Sequence, residues 1–357
     1  MTDRSLRHGA WAVAAAGALG CALGWRVAPA DLPHAWLAAL VCWIGWPLGS
    51  MALVLIHALT GGAWGWAIRR QLASGIATLP LMVPGVVPLF LMRRSLFPWM
   101  APQVDALLSN RFYLNPPFFY VRAAMYLAVW LGLGFLVLRT LRRDDAQGAL
   151  YRMAPPALIA LGLTITFASI DYTLSMEPQF KSSIYGMLAA TECVLFSLSV
   201  AVMMRAFGAA AADLATTRDL GKLLFALLVL WAYLDFMQLL IVWNSDLPDE
   251  AGWYLERLRG GWGFIAALTA VLHFALPFFA LIWAPVQRSR RAIGWMGALL
   301  VLIEVPRAWW VVIPAAGRPL SLVDAAAMLA VLGAASAMAL GAWHGVSIGR
   351  TAVAADA

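Results

Sequence analysis

Charged side chains are scarce in this sequence. Asp, Glu, Lys and Arg make up 12% of its 357 residues, about half of the roughly 25% that is typical of soluble domains. So few charges cannot cover a soluble domain of this size, which indicates that the bilayer is the solvent. The formal net charge of +7 suits anionic lipid headgroups. Because the basic residues lie between apolar segments and form no single patch, a nucleic-acid partner is not expected.

Cysteine is also rare. Cys21, Cys42 and Cys193 all lie inside apolar stretches, with no CxxC pair and no CxxCH haem-attachment motif. An iron–sulfur cluster needs about four thiolates, so this chain alone is predicted to hold none. Small apolar side chains within helices are the simplest interpretation of all three.

Histidine does not offer a haem site either. His57 and His273 differ by about ten residues in predicted depth, near 15 Å, and His8, His34 and His344 lie at predicted helix ends. Two imidazoles facing each other at one depth are therefore not expected. The sequence has no glycine-rich phosphate loop, no HExxH and no Ser-His-Asp arrangement, so neither a catalytic residue nor a metal site is predicted.

Long apolar runs dominate what is present. Each run covers about 18–26 residues, enough to cross roughly 30 Å of hydrocarbon as a helix. The sequence therefore predicts an all-α integral membrane protein with about ten transmembrane helices. The predicted helices cover roughly 9–26, 34–59, 72–92, 117–139, 154–175, 182–207, 219–243, 261–284, 292–313 and 322–343.

The N-terminal run has two interpretations. Arg4 and Arg7 precede it, and Ala28-Pro29-Ala30 follows it, as in a cleaved signal peptide. Trp11 and Trp25 bracket the same run like anchors at a membrane interface. We expect a retained first helix.

Basic residues predict the orientation. Fifteen Lys and Arg residues lie at the chain ends and in the even-numbered gaps, against nine in and beside the odd-numbered gaps. Because cytoplasmic loops carry the excess of Lys and Arg, both termini are predicted to be cytoplasmic.

Two longer gaps suggest an internal repeat. They cover about 93–116 and 244–260, are rich in Pro, Trp, Asn and Asp, and lie four predicted helices apart. An offset of four helices preserves direction through the membrane, which favours two parallel four-helix bundles. The predicted divisions are a first helix at 1–33, bundles at 34–178 and 179–313, and a last helix with a cytoplasmic tail at 314–357.

Three prolines follow one another in the third predicted helix. Pro80, Pro84 and Pro88 are spaced by four residues, and each removes one backbone donor. A broken helix at a transport site is one interpretation. The other is ordinary tolerance of proline within a packed bundle.

Ionisable residues at membrane depth are costly and are therefore the functional candidates. The candidates for a proton path are in the second predicted bundle: Glu192, Asp235, His273, Glu304 and Arg307, with Gln238 near Asp235. In the first bundle, His57 is predicted near the inner face, and Arg122 and Asp171 toward the outer face. A proton path needs titratable groups in series across the core, which favours the second bundle.

Structural roles remain open for the same residues. Glu304 and Arg307 are three residues apart on one helix face and can neutralise each other. Glu192 can be a protonated carboxyl group that is hydrogen-bonded to a neighbouring helix.

Several segments resemble one family. They keep their order across about 60–312: Leu114–Arg122, Ser169–Pro178 with Ser182–Gly186, Asp219–Leu224, Trp231–Tyr233 with Gln238, Trp243–Glu250, Gly260–Trp262, His273-Phe274 and Pro277-Phe278. Together they resemble the F subunit of alternative complex III, the smaller NrfD-like membrane subunit of that quinol:electron acceptor oxidoreductase. The sequence differs from the family pattern at Tyr172, where Trp is usual, and at Glu177–Phe180, where Asp-Pro-x-Trp is usual.

The resemblance implies a bacterial inner-membrane protein with ten helices and two four-helix bundles. It implies partners, namely a larger NrfD-like subunit, an iron–sulfur protein and c-type cytochromes. It also implies a part in proton movement without redox centres of this chain's own. Arg122, Asp171, Gln238 and His273 match the family's polar positions.

Four functions therefore stand as hypotheses. The favoured one is a respiratory subunit without its own redox centres that conducts protons. A stand-alone transporter or channel would have a midplane cavity reached from both sides. A quinone-binding module would open to lipid near Asp171 or His273. A scaffold subunit would use its buried polar residues only to hold helices together.

Overall fold

The fold is all-helical. The computed structural model describes residues 3–101, 110–208, 213–245 and 248–345. Helix accounts for 87% of the structure, and no strand occurs among the described residues. These residues contain ten helices that are long and apolar enough to cross a membrane. The predicted class, an all-α integral membrane protein with about ten spans, is confirmed.

The ten membrane-crossing helices are numbered in chain order. They are α1 (Arg4–Val27), α2 (Leu32–Thr60), α3 (Ala63–Leu91), α4 (Pro116–Leu141), α5 (Ala146–Met176), α6 (Tyr185–Phe207), α7 (Leu214–Ser245), α8 (Gly261–Ile282), α9 (Arg290–Ala316) and α10 (Leu322–Trp343). One further helix, Pro248–Leu258, lies between α7 and α8 and is called the surface helix below. Short helical turns cover Arg93–Leu96, Pro98–Met100 and Ala284–Arg288.

The third helix is broken at its prolines. It consists of Ala63–Ile76, a 3₁₀ turn at Leu79–Leu81 and Met82–Leu91. Pro80 lies in the 3₁₀ turn and Pro88 lies inside the last segment. Side chains of α2 hydrogen-bond to this broken region: Trp43 donates to the Thr78 hydroxyl at 3.1 Å, and Trp36 donates to the Gly85 carbonyl at 2.8 Å.

The third helix also begins nine residues before its predicted start. Only Gly61 and Gly62, with φ of 69° and 94°, separate it from α2. Arg69 and Arg70 therefore lie within the helix, although their charge indicated a loop. Arg69 stacks over Trp66 at 4.2 Å, and Arg70 stacks over Trp343 at 4.3 Å. Long basic side chains can place their stems along apolar surface in this way.

Helix neighbours form two rings of four. In the first ring, α2 contacts α3 and α5, and α4 contacts the same two helices. In the second ring, α6 contacts α7 and α9, and α8 contacts the same two helices. This grouping has the same membership as the two predicted bundles. The residue boundaries assigned to those bundles stay predictions.

The two rings meet where α2 packs against α6. A Cβ on Gly49 would lie 1.8 Å from the Cys193 carbonyl oxygen, so the backbones approach as closely as glycine permits. Ser50 and Ser197 form a hydroxyl hydrogen bond of 2.8 Å across the same contact. Small residues and hydroxyl groups are the usual means of helix association in lipid. This contact makes α2 and α6 the centre of the protein.

The first and last spans flank the rings as a pair. A Cβ on Gly17 of α1 would lie 2.3 Å from the Ala330 nitrogen of α10. Only 22% of the apolar part of α1 is buried, against 83% for α2. Retention of α1 stays a prediction. Residues 346–357, most of the predicted cytoplasmic tail, lie outside the described residues.

Ten crossings place both ends of the helical region on one side. The side where α1 begins and α10 ends is called the terminal face, and the other side is called the distal face. The surface helix lies at the distal face. The prediction that the terminal face is cytoplasmic stays a prediction.

Candidate functional site

Two helices of the second ring bring a buried arginine against two glutamates. Arg307 of α9 forms an ion pair with Glu192 of α6. Glu304, one turn earlier on α9, has Oε1 3.9 Å from the same guanidinium. The three side chains are called the Arg307 cluster. Because a helix places residues three apart on one face, α9 presents Glu304 and Arg307 together.

His273 lies at the edge of the Arg307 cluster. Its Nε2 is 3.9 Å from Glu304 Oε2, which is too long for a direct hydrogen bond. The residue is 2% exposed and lies in a π-helical segment, Thr269–Ala275. Pro277 follows one turn later and has no N–H for the His273 carbonyl. The wider π-helical turn is a common feature of functional sites.

The seventh helix contributes two further polar residues. Asp235 and Gln238 line the same cavity as the Arg307 cluster. Ser182, from the connection before α6, donates to Gln238 at 2.8 Å. The amide therefore links α7 to the distal loops.

The cavity lies between the two rings and has a volume of about 130 Å³. Its polar wall is formed by Asp235, Gln238 and the Arg307 cluster, whereas the opposite wall is apolar. Since one water occupies about 30 Å³ in the liquid, a polar space of this size can hold a few water molecules. The apolar wall includes Leu40, Ile44, Met82, Trp130 and Ile165.

The site extends from about the middle of the membrane toward the distal face. From the helix starts and a rise of about 1.5 Å per residue, Glu192 lies roughly 10 Å from the distal end of α6 and His273 roughly 18 Å from that of α8. Glu192 is nearer the distal face than its predicted midplane position, because α6 begins at Tyr185 rather than at 182.

The terminal half of the second ring is apolar. No Asp, Glu, His, Lys or Arg occurs within 194–204, 223–230, 274–282 or 292–303. Phe278 packs in this half, with its ring 5.5 Å from Phe225 and 5.2 Å from Phe274. The polar groups of the site therefore continue toward the distal face and not toward the terminal face.

The family-motif pair of the first ring lies elsewhere. Asp171 is 0% exposed and accepts hydrogen bonds from Arg122 at 2.7 and 2.8 Å and from the Tyr126 hydroxyl at 2.7 Å. Arg122 also donates to the Tyr113 carbonyl at 2.9 Å. Burial and the nearby Asp171 charge raise the pKa of the Tyr113 phenol well above its ordinary value. A network with this many partners is typical of a structural tie.

His57 is also separate from the Arg307 cluster. Its Nε2 lies 2.9 Å from the Gly62 carbonyl, and its ring meets the edges of Trp64 and Trp66 at 5.2 and 5.4 Å. These contacts hold the turn between α2 and α3 at the terminal face. Of the predicted proton-path residues, all five gather around the cavity or its edge, whereas Arg122, Asp171 and His57 do not.

Sequence reasoning missed an ion pair at the mouth of the cavity. Arg257 of the surface helix is 0% exposed and donates to Glu177 at 2.6 Å. The sequence predicted 244–260 as one of the two longer gaps between spans, without a helix in it. The available signal was the spacing of Trp253, Tyr254 and Arg257, which lie on one side of an amphipathic helix.

The arrangement can hold a variable number of protons. A guanidinium remains charged and can balance one carboxylate, but the cavity also contains the carboxyl groups of Glu304 and Asp235. Because an unbalanced carboxylate is costly to bury, we expect these additional carboxyl groups to bind protons.

Comparison with known proteins adds no assignment. No protein-family model matches the sequence, and no curated protein matches it.

Proposed function

We propose that this chain is a proton-handling membrane subunit of a quinol:electron acceptor oxidoreductase that resembles alternative complex III. In this proposal the chain has no redox centre of its own. Its partners are a larger NrfD-like subunit, an iron–sulfur protein and c-type cytochromes in a bacterial inner membrane. The single observation that carries the proposal is the meeting of three carboxyl groups with one arginine around a cavity.

Electrostatics supports proton handling. An unpaired charge costs several kcal/mol when it is buried, so the net charge of such a cluster stays close to zero. With Arg307 permanently positive, a change in charge nearby is compensated most readily by a proton on Glu192, Glu304 or Asp235. A redox reaction in a neighbouring subunit provides such a change. The cluster would then take up or release a proton as the electron moves.

The position of the site supports exchange with the distal face. Asp235 and Gln238 extend the polar wall in that direction, whereas the terminal half of the ring is filled by apolar side chains. His273 is the deepest titratable group of the set. To reach the terminal face, a proton would need a path formed by groups other than the described side chains of this ring.

The proposal is tested in the assembled complex. Glu304→Gln and Glu192→Gln remove one titratable group each and keep the side-chain shape. We expect fewer protons released per electron in both variants. Glu256→Gln is the matched control, because Glu256 is an exposed glutamate of the surface helix. Unchanged proton release with intact subunit composition in both variants would overturn the proposal.

Quinone binding is the second candidate, and the apolar wall of the cavity favours it. A ring could lie against Ile44 and Ile165, with its oxygen atoms toward Gln238 or Arg307. Asp171 and His273 do not line this cavity, and the opening to lipid expected near them stays a prediction. A photoreactive quinone that labels peptides of α2 or α5 would support this candidate. Labelling elsewhere only would exclude it.

A further inference from the structure

The surface helix covers the cavity at the distal face. Trp253 of this helix and Trp310 of α9 both line the cavity, and their rings are 5.5 Å apart at nearly a right angle. Phe180, from the connection before α6, stacks on Trp253 at 4.6 Å with an interplanar angle of 14°. Three aromatic side chains therefore separate the polar wall from the distal face.

Arg257 fastens this cover to two other segments. Its guanidinium donates to Glu177 at 3.2 and 2.6 Å, after α5, and to the Val311 carbonyl of α9 at 2.8 Å. In return, Trp310 Nε1 donates to the Arg257 carbonyl at 2.9 Å. The guanidinium also lies 3.7 Å from the Trp253 ring. One side chain thus fixes the position of the aromatic cover.

The charge of Arg257 matters as well as its contacts. A guanidinium does not give up its proton, so Arg257 stays available as the charged partner of Glu177. Glu177 has 20% of its side chain exposed and reaches water.

The chain also has a point about which the cover can turn. The surface helix ends at Leu258, and Gly260 follows with φ of 56°, a conformation that favours glycine. No heavy atom lies within 4 Å of a Cβ built on Gly260 or Gly261. The connection to α8 is therefore unobstructed.

We propose that Arg257 and Glu177 are positioning residues of the cavity site. Their ion pair holds the surface helix shut, and water and protons reach Glu192 from the distal face when the pair separates. This role of the ion pair rests on the proposed proton function. The test is independent of that function, because it measures only whether a water-soluble reagent enters the cavity.

Two native cysteines serve as reporters. Cys42 of α2 and Cys193 of α6 line the cavity. The third cysteine, Cys21, is replaced by Ser. The purified full-length protein in oriented vesicles is treated with a small charged methanethiosulfonate, added on one side at a time. Labelling of each cysteine is followed by mass spectrometry.

Removing the ion pair should expose the reporters. We expect Arg257→Gln and Glu177→Gln to raise the labelling rate from the distal side about tenfold or more, because losing a charge-assisted hydrogen bond shifts an equilibrium by at least that factor. Arg257→Lys should fall between them and the parent protein, since Lys keeps the charge but not the forked geometry. Arg318→Gln is the control, because Arg318 forms a distal ion pair with Asp324 outside this cavity.

Three results would overturn the inference. They are equal labelling of parent and ion-pair variants, fast labelling of the parent, and labelling from the terminal side. Circular dichroism and gel filtration check the fold. If Arg257→Gln does not fold, the labelling rate of Glu177→Gln still tests the inference, because this substitution leaves the cavity walls unchanged. If the labelling rates do not change but Glu304→Gln alters proton release, the role of the ion pair is rejected and the proposed proton function is kept.

Discussion

Arg307 of α9 is the shared counter-charge of Glu192 on α6, to which it is paired, and of Glu304, whose carboxyl oxygen is 3.9 Å away. The Glu192 ion pair joins two helices, whereas the Glu304 contact lies within one helix. The guanidinium also stands over Trp231 of α7 at 5.2 Å. Arg307 therefore connects three of the four helices of the second ring.

Arg307→Gln should strongly destabilise the protein. Removing one partner of a buried ion pair leaves an unbalanced charge and costs roughly 3–5 kcal/mol. Thermal unfolding in detergent, followed by circular dichroism, measures the loss. The double variant Arg307→Gln with Glu192→Gln should recover part of it, because the unbalanced carboxylate is gone. Equal stability of the single variant and the parent would show that the pair is not structurally coupled.

The Arg122–Asp171 pair should matter for stability and not for proton movement. Asp171→Asn removes the carboxylate that Arg122 and Tyr126 share, at a cost of roughly 3–5 kcal/mol. Tyr126→Phe removes one hydrogen bond and should cost only about 1.5–3 kcal/mol, since that bond is to a charged group. Unfolding midpoints in detergent test this order. Proton release by the assembled complex that falls in Tyr126→Phe, without loss of assembly, would contradict the separation.

Gly49→Ala should disrupt the contact between the two rings. Its Cβ would meet the Cys193 carbonyl oxygen at 1.8 Å, and a backbone atom cannot turn aside. Overpacking of this kind costs about 1–3 kcal/mol or more. Gly132→Ala on α4 is the control, because no heavy atom lies within 4 Å of its Cβ position. If the two variants had similar thermal unfolding midpoints in detergent, α2 and α6 would separate more easily than their packing indicates.

The start of α7 should loosen in acid. Asp213 precedes α7 and accepts from the Thr216 hydroxyl and from the Thr216 amide, the latter at 2.9 Å, and these bonds lower the pKa of its carboxyl group. A lowered pKa means that the stabilisation is present above the ordinary Asp value and is lost as pH falls through the lower folded value. Hydrogen exchange at the Ala215 and Thr216 amides should therefore speed up in that range. Asp213→Asn keeps an acceptor without titrating, so its exchange should not show this acid step.

Local rules explain why much of the fold was predictable. The thickness of the bilayer sets the length of each apolar run, so ten spans follow from hydropathy alone. The same rules misplaced the start of α3, because Arg69 and Arg70 indicated a loop. Their side chains pack on Trp66 and Trp343, and the second of these is on a helix 273 residues away in sequence. A rule that uses only neighbouring residues cannot predict a contact between segments that are distant in sequence.

The candidate site likewise contains residues that local rules predicted and a residue that they did not. The helical repeat was enough to place Glu304 and Arg307 on one face, and the cost of buried charge was enough to select Glu192, Asp235 and His273. The burial of Arg257 was missed, because a charged residue between two spans is normally solvated and the amphipathic spacing of Trp253, Tyr254 and Arg257 gave only a weak signal.

By itself, the sequence determined that the chain crosses the membrane about ten times and which ionisable groups lie at depth, since both depend on residue type and on spacing along one helix. Only the tertiary structure decided that Arg307 pairs with Glu192, that one cavity joins α2, α6, α7 and α9, and that Arg257 of the surface helix pairs with Glu177. These relationships depend on the angle and depth at which separate helices pack, and close backbone contacts such as Gly49 against Cys193 set both.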